Sequence, residues 1–210
     1  MSDKKNILYV VGSVLAIVLL GFWYLNFGKS AAVRNFPSAG TDIIAFGDSL
    51  VQGTGATSSG TNFVSLLSRK IGRPIINLGV SGNTTADGLA RLAELDQYNP
   101  KVVLLLLGGN DHLRKVPIDV TFGNLGSIIQ NLQSRGAVVL ILGVKGNLFG
   151  DKFKPQFEKL RDTYHTAYVP DVLDGLFGKR QFMSDSVHPN DVGYAKIADR
   201  IYPELVKLLR

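Results

Sequence analysis

The sequence predicts an α/β domain: a three-layer α/β/α sandwich around a doubly wound, parallel, five-stranded sheet, with one transmembrane helix in front of it. Three observations carry this. Strand-like and helix-like segments alternate from Asp42 to the C-terminus, the pattern of βαβ units and a parallel sheet. The segments 102–107 and 137–142 are apolar on both faces, as strands are when helices cover both sides of a sheet. Residues 7–27 form an apolar stretch without a charge.

That stretch comes first. At ~1.5 Å per residue it reaches across a hydrocarbon core of ~30 Å. Lys4 and Lys5 precede it, and Trp23, Tyr24 and Phe27 suit an interfacial aromatic belt. A cleaved signal peptide has a shorter apolar core, ~7–15 residues. Ser30-Ala31-Ala32 offers a cleavage site, but the length of the run favours an uncleaved anchor over residues 1–28. The leading lysines put the N-terminus in the cytoplasm and the following domain outside, periplasmic or extracytoplasmic. Lys29 and Arg34 weaken that bias. Residues 29–41, with Pro37 and Gly40, read as a linker, and residues 42–210 as the domain.

Within the domain the first strand is 43–46. Phe63, Leu66, Leu67 and Ile71 share one face of a helix over 63–71. A second strand spans 74–78. Leu89, Leu92 and Leu95 form the stripe of a helix over 84–95. The third strand, 102–107, precedes a helix over 118–134 that Gly136 ends. Strand 137–142, helix 153–165, strand 167–169 and helix 191–209 complete the order. The composition, 45% hydrophobic over 210 residues, supports one substantial core. The chain has no cysteine, which removes disulfides, thiol catalysis and thiolate metal sites. The net charge of +6 is scattered; it suits a solubilising surface or an anionic membrane, and without an arginine stripe interleaved with aromatics it does not suggest nucleic acid.

In doubly wound sheets functional residues collect at the carboxyl ends of strands. Three glycine turns fall there: Gly47-Asp48-Ser49-Leu50, Gly79-Val80-Ser81-Gly82 and Gly108-Gly109-Asn110-Asp111. A serine hydroxyl needs a base to become a nucleophile, and a base needs an orienter. Asp185-Ser186-Val187-His188-Pro189 supplies both, three residues apart. The expected relay is Ser49, His188 and Asp185. The Ser49 N–H, the Gly82 N–H and the Asn110 amide are the candidate donors to a developing oxyanion. Asp48, Asp111, Leu148 and Phe149 are expected against the substrate; Leu148, Phe149 and Phe153, which follow the fourth strand, either line an acyl channel or pack in the core.

Taken in order, Gly47-Asp48-Ser49-Leu50, Gly82, Asn110, and Asp185 with His188 resemble the motif blocks of the SGNH hydrolases, also called GDSL lipases and esterases. Gly88-Leu89-Ala90-Arg91-Leu92 and Gly108-Gly109-Asn110-Asp111-His112-Leu113-Arg114 look closer to its single-domain periplasmic thioesterase, lysophospholipase and arylesterase branch. The resemblance runs from about Asp42 to the C-terminus. It implies a flavodoxin-like strand order, hydrolysis of acyl esters or thioesters through an acyl-enzyme on Ser49, and no metal or cofactor. The expected partners are an acyl ester or lipid-like substrate and, through the anchor, a membrane. Acyl transfer to an alcohol and carbohydrate O-deacetylation remain open on the same residues. A rival class is a flavodoxin-like binding module, in which residues 53–61, rich in Gly, Ser and Thr, would cradle a phosphate.

Overall fold

The computed structural model describes residues 17, 18, 21, 32–144 and 152–210. The predicted membrane helix therefore lies almost wholly outside the described residues. Among the described residues no helix is long and apolar enough to cross a membrane. The chain divides into two units, 1–32 and 33–210, and the second carries the sheet.

Five parallel strands, β1 (Asp42–Gly47), β2 (Ile76–Gly79), β3 (Pro100–Leu106), β4 (Val138–Leu142) and β5 (Ala167–Val169), stand in the order β2-β1-β3-β4-β5. β4 is buried along its whole length and β3 at all but one position, the reason both read as apolar on two faces. Among the described residues, the strands are accompanied by the helices α1 (Ser49–Gln52), α2 (Phe63–Ile71), α3 (Thr85–Ala90), α4 (Gly109–Leu113), α5 (Ile118–Ser134), α6 (Phe153–Tyr164) and α7 (Asp191–Leu208). They pack in two groups, α2 with α7, and α5 with α3 and α6. After β1 the chain goes to β2 on one side, then crosses to β3 on the other. The crevice beyond the carboxyl ends of β1 and β3 is the switch point where such sheets bind ligands.

Three local readings change. The helix expected over 84–95 is broken into α3 and a 3-10 turn, Leu92–Gln97, at Arg91, whose side chain reaches inward to the strand ends. The linker expected over 29–41 is, from residue 33 on, fastened to the domain. Asn35 donates to the Gln133 and Ala137 carbonyls, Ser38 donates to Gly136, and Lys101 donates to Ser38. Composition showed small polar residues there but not the carbonyls that they would meet. Finally, α1 and α4 are single-turn helices without periodic signal; α1 begins at Ser49 and α4 one residue before Asn110.

Candidate active site

Ser49 owes its position to the abrupt end of β1. Asp48 leaves the strand and caps α1, its Oδ1 accepting the Leu50 N–H at 3.0 Å. Gly53, at φ +96°, closes the single turn. Ser49 is thus the first residue of a helix at a sheet edge, and it is 7% exposed.

His188 comes from the loop before α7. Asp185 Oδ1 accepts the N–H groups of Val187 and His188, each at 2.7 Å. The Ser184 N–H donates to the His188 carbonyl at 2.9 Å, Met183 bridges Pro189, and Asn190 caps α7 through the Gly193 N–H at 3.1 Å. Asp185 Oδ2 is left 2.8 Å from His188 Nδ1, and His188 Nε2 lies 3.1 Å from Ser49 Oγ. Partial burial pushes the Asp185 carboxyl up, but the His188 ring and the two loop N–H groups outweigh it and hold the group at about 2. Ionised, Asp185 can only accept. Nδ1 therefore donates to it, and Nε2 is the ring nitrogen that faces the Ser49 hydroxyl.

A segment that sequence reasoning assigned to the rival class holds the two loops together. Residues 53–61 lie against the histidine loop. A methyl group on Gly55, at φ +94°, would stand 2.5 Å from the Pro189 carbonyl oxygen and 3.0 Å from His188 Cβ. The buried Tyr194 donates to the Thr54 carbonyl at 2.7 Å, and Asp191 accepts the Thr57 N–H at 2.9 Å and its hydroxyl. The Thr57 N–H, a donor that a phosphate cradle would need, is already committed to a carboxylate. Gly55 and Thr57 were expected in a phosphate cradle, and Asp191 and Tyr194 had no expected role beyond the last helix; the only signal was the glycine-threonine cluster itself.

Asn110 is the second residue of α4, entered through Gly108 at φ +113°. One hydrogen of its amide goes to the Asn83 carbonyl at 2.9 Å, which leaves the other to serve a ligand. Gly82 sits third in the turn closed by the Asn83 N–H on the Val80 carbonyl, with φ +81°, the backbone a type II turn demands. Arg114 donates to the Gly82 carbonyl at 2.9 Å and pins that peptide. Ser49, Gly109 and Asn110 line one pocket with Leu50, Leu113, Val144, Leu173, Phe177 and Val187, an apolar wall beside the hydroxyl.

The four residues expected against the substrate have different surroundings. Leu148 and Phe149 lie outside the described residues. Asp48 and Asp111 are 2% and 1% exposed, and their carboxyl groups serve the fold. Asp111 accepts the N–H of Thr85 at 2.8 Å and its hydroxyl, tying α4 to the start of α3. A buried carboxyl group needs such donors. Asp48 lines the same pocket as Ser49. Burial pushes its carboxyl up to about 7 against the pull of the Leu50 N–H and of His188, and Asp111 adds to the rise. Among the described residues no cluster of acidic or histidine side chains is arranged to hold a metal.

Residues 45–196 match the family model described as GDSL-like Lipase/Acylhydrolase family. The chain is 35% identical over 142 residues to an arylesterase of Vibrio mimicus, covering 64% of this chain and 71% of the relative. It is 30% identical over 196 residues to thioesterase 1/protease 1/lysophospholipase L1 of Escherichia coli K12, covering 89% and 94%. The crystal structure of TesA superposes with a TM-score of 0.76 at 30% identity, over 80% of this chain and all, 100%, of that one.

Proposed function

This chain belongs to the GDSL-like lipase/acylhydrolase family and is a serine esterase of it, and on that premise we propose that it cleaves acyl esters and thioesters, lipid esters among them, through an acyl-enzyme on Ser49. The observation that carries the mechanism is the continuous relay of 2.8 Å and 3.1 Å contacts from Asp185 through His188 to Ser49.

In the proposed cycle Ser49 Oγ attacks the substrate carbonyl carbon as His188 Nε2 takes its proton. Asp185 stabilises the imidazolium that forms. Negative charge moves onto the carbonyl oxygen and is met by the Ser49 and Gly82 N–H groups and the free Asn110 hydrogen. His188 then gives its proton to the departing alkoxide or thiolate, and the acyl group stays on Ser49. Water repeats the sequence, with His188 as its base, and the carboxylic acid leaves. Leu113, Val144, Leu173, Phe177 and Val187 give the acyl chain an apolar wall.

A fluorophosphonate probe followed by peptide mapping tests the assignment. Label on Ser49 in the wild type and none in Ser49→Ala is expected; a Ser49→Ala protein that hydrolyses esters at the wild-type rate refutes it. Rates across a series of nitrophenyl esters test the acyl preference. A sharp optimum at acetate, with loss of longer chains, would point to deacetylation instead. The reading includes an anchor over residues 1–28 and an exported domain, supported by the uncharged apolar run and the lysines before it. Mass spectrometry of the membrane-bound protein should find the original N-terminus, and a mature start near Val33 rules out the anchor.

A further inference from the structure

Where α3 gives way to the 3-10 turn, the Arg91 side chain turns under the site, and it is only 12% exposed. Nη2 donates to the Gly47 and Leu78 carbonyls, each at 2.9 Å. Nε donates to Asn83 Oδ1 at 2.6 Å, and Nη1 to Glu94 at 2.9 Å. The guanidinium carbon stands 4.0 Å from the centre of the Phe46 ring, which it covers. Four of its five N–H groups are thereby committed.

The partners are not random. Gly47 precedes the Asp48 cap and the nucleophile. Asn83 follows Gly82, and its carbonyl receives the Asn110 amide at 2.9 Å. One cation therefore holds the end of β1, the end of β2 and the loop on which two candidate oxyanion donors depend.

We propose that Arg91 is a positioning residue for the oxyanion hole, setting the Gly82–Asn83 loop, and through it the Asn110 amide, against the end of β1. The inference rests on the reading of Ser49 as nucleophile and of Gly82 and Asn110 as donors. A planar guanidinium is what the geometry needs. It meets two strand-end carbonyls with one nitrogen and a side-chain amide with another, in fixed directions that a lysine ammonium does not have. The effect belongs to the transition state, because the charge that builds on the substrate oxygen depends on donor placement more steeply than the neutral carbonyl does.

The test is steady-state hydrolysis of a soluble nitrophenyl ester by Arg91→Ala, Arg91→Lys, Asn83→Ala, Asn110→Ala, Ser49→Ala and the wild type, with and without guanidinium ion well below denaturing concentration. Displacing the donors by about an ångström lowers kcat roughly ten- to hundredfold, so Arg91→Ala should show that loss with KM nearly unchanged. Guanidinium should restore part of the rate in Arg91→Ala and not in Asn110→Ala, and Arg91→Lys should remain impaired. Asn83→Ala, which leaves Arg91 in place, should lose kcat by a smaller factor. A folded Arg91→Ala that keeps its kcat, a change confined to KM, or a loss that guanidinium does not relieve overturns the proposal. If Arg91→Ala does not fold, Asn83→Ala decides, and full kcat there overturns it. Wild-type turnover in Ser49→Ala would instead sink the underlying mechanism, whatever Arg91 does.

Discussion

Gly55→Ala probes whether the contact between the segment 53–61 and the histidine loop sets the relay distance. The new methyl would lie 2.5 Å from the Pro189 oxygen and 3.0 Å from His188 Cβ. A comfortable contact is about 3.5 Å, so the loop has to retreat by roughly 1 Å. The 3.1 Å separation of His188 Nε2 from Ser49 Oγ then opens to about 4 Å, beyond the range in which a base accepts a proton directly. Misplacement of that size costs about 10²-fold in kcat. Stability should fall by about 1–3 kcal/mol, from the left-handed backbone and the overpacking. The control is Gly72→Ala, which also has positive φ, +66°, but no atom within 4 Å of the added methyl; it should lose a little stability and no activity. Hydrolysis of a nitrophenyl ester, the rate of fluorophosphonate labelling and a thermal melt follow the three quantities. A Gly55→Ala enzyme as fast as Gly72→Ala refutes the claim that this contact sets the relay.

Other perturbations give different signatures. Asp185→Asn removes the acceptor that fixes the His188 ring and should lower kcat roughly 10²- to 10⁴-fold with KM little changed, whereas Asn110→Ala should cost about 10²- to 10³-fold, also in kcat; the same steady-state assay separates them. Asp111→Ala leaves the buried Thr85 N–H without a partner and should cost about 1–3 kcal/mol in urea denaturation. The Asp48 carboxyl is raised to about 7 in the folded protein from 3.8. The folded state therefore holds that proton where the unfolded chain has released it. The contribution is complete below about pH 4 and is lost as pH rises through about 7, on the order of 2–4 kcal/mol. Asp48→Asn keeps an acceptor for Leu50 and should flatten this part of the stability curve between pH 4 and 8. A slope equal to that of the wild type would rule out Asp48 as its source.

How much of this was readable in advance depended on distance along the chain. The strands announce themselves because β3 and β4 are buried on both faces, and the serine and histidine motifs because each is a few residues long and sits beside an element end. Asn110 and Asp111 mark the limit. They are adjacent, both polar and both at the end of β3, yet α4 sends one side chain into the pocket and buries the other under Thr85, a difference of helical phase too short to leave a period. Arg91 reads as an ordinary helical residue until the carbonyls of Gly47 and Leu78 lie beneath it. Contacts such as Tyr194 with Thr54, 140 residues apart, follow from the fold and have no local signature. The apolar pocket wall is of the same kind: Leu113, Val144, and Leu173 with Phe177 come from three separate segments.

The hydroxyl and the imidazole are 139 residues apart in sequence, the first just after β1 and the second just before α7. Synthesis therefore delivers the two halves of the proposed relay far apart in time, and on that mechanism a chain that ends before His188 has no activated serine. The clasp made by Tyr194 and Asp191 on the segment 53–61 extends this to the mature enzyme. Any fluctuation that lifts α7 parts the base from the serine while the sheet is still intact, so turnover should vanish before the fold does.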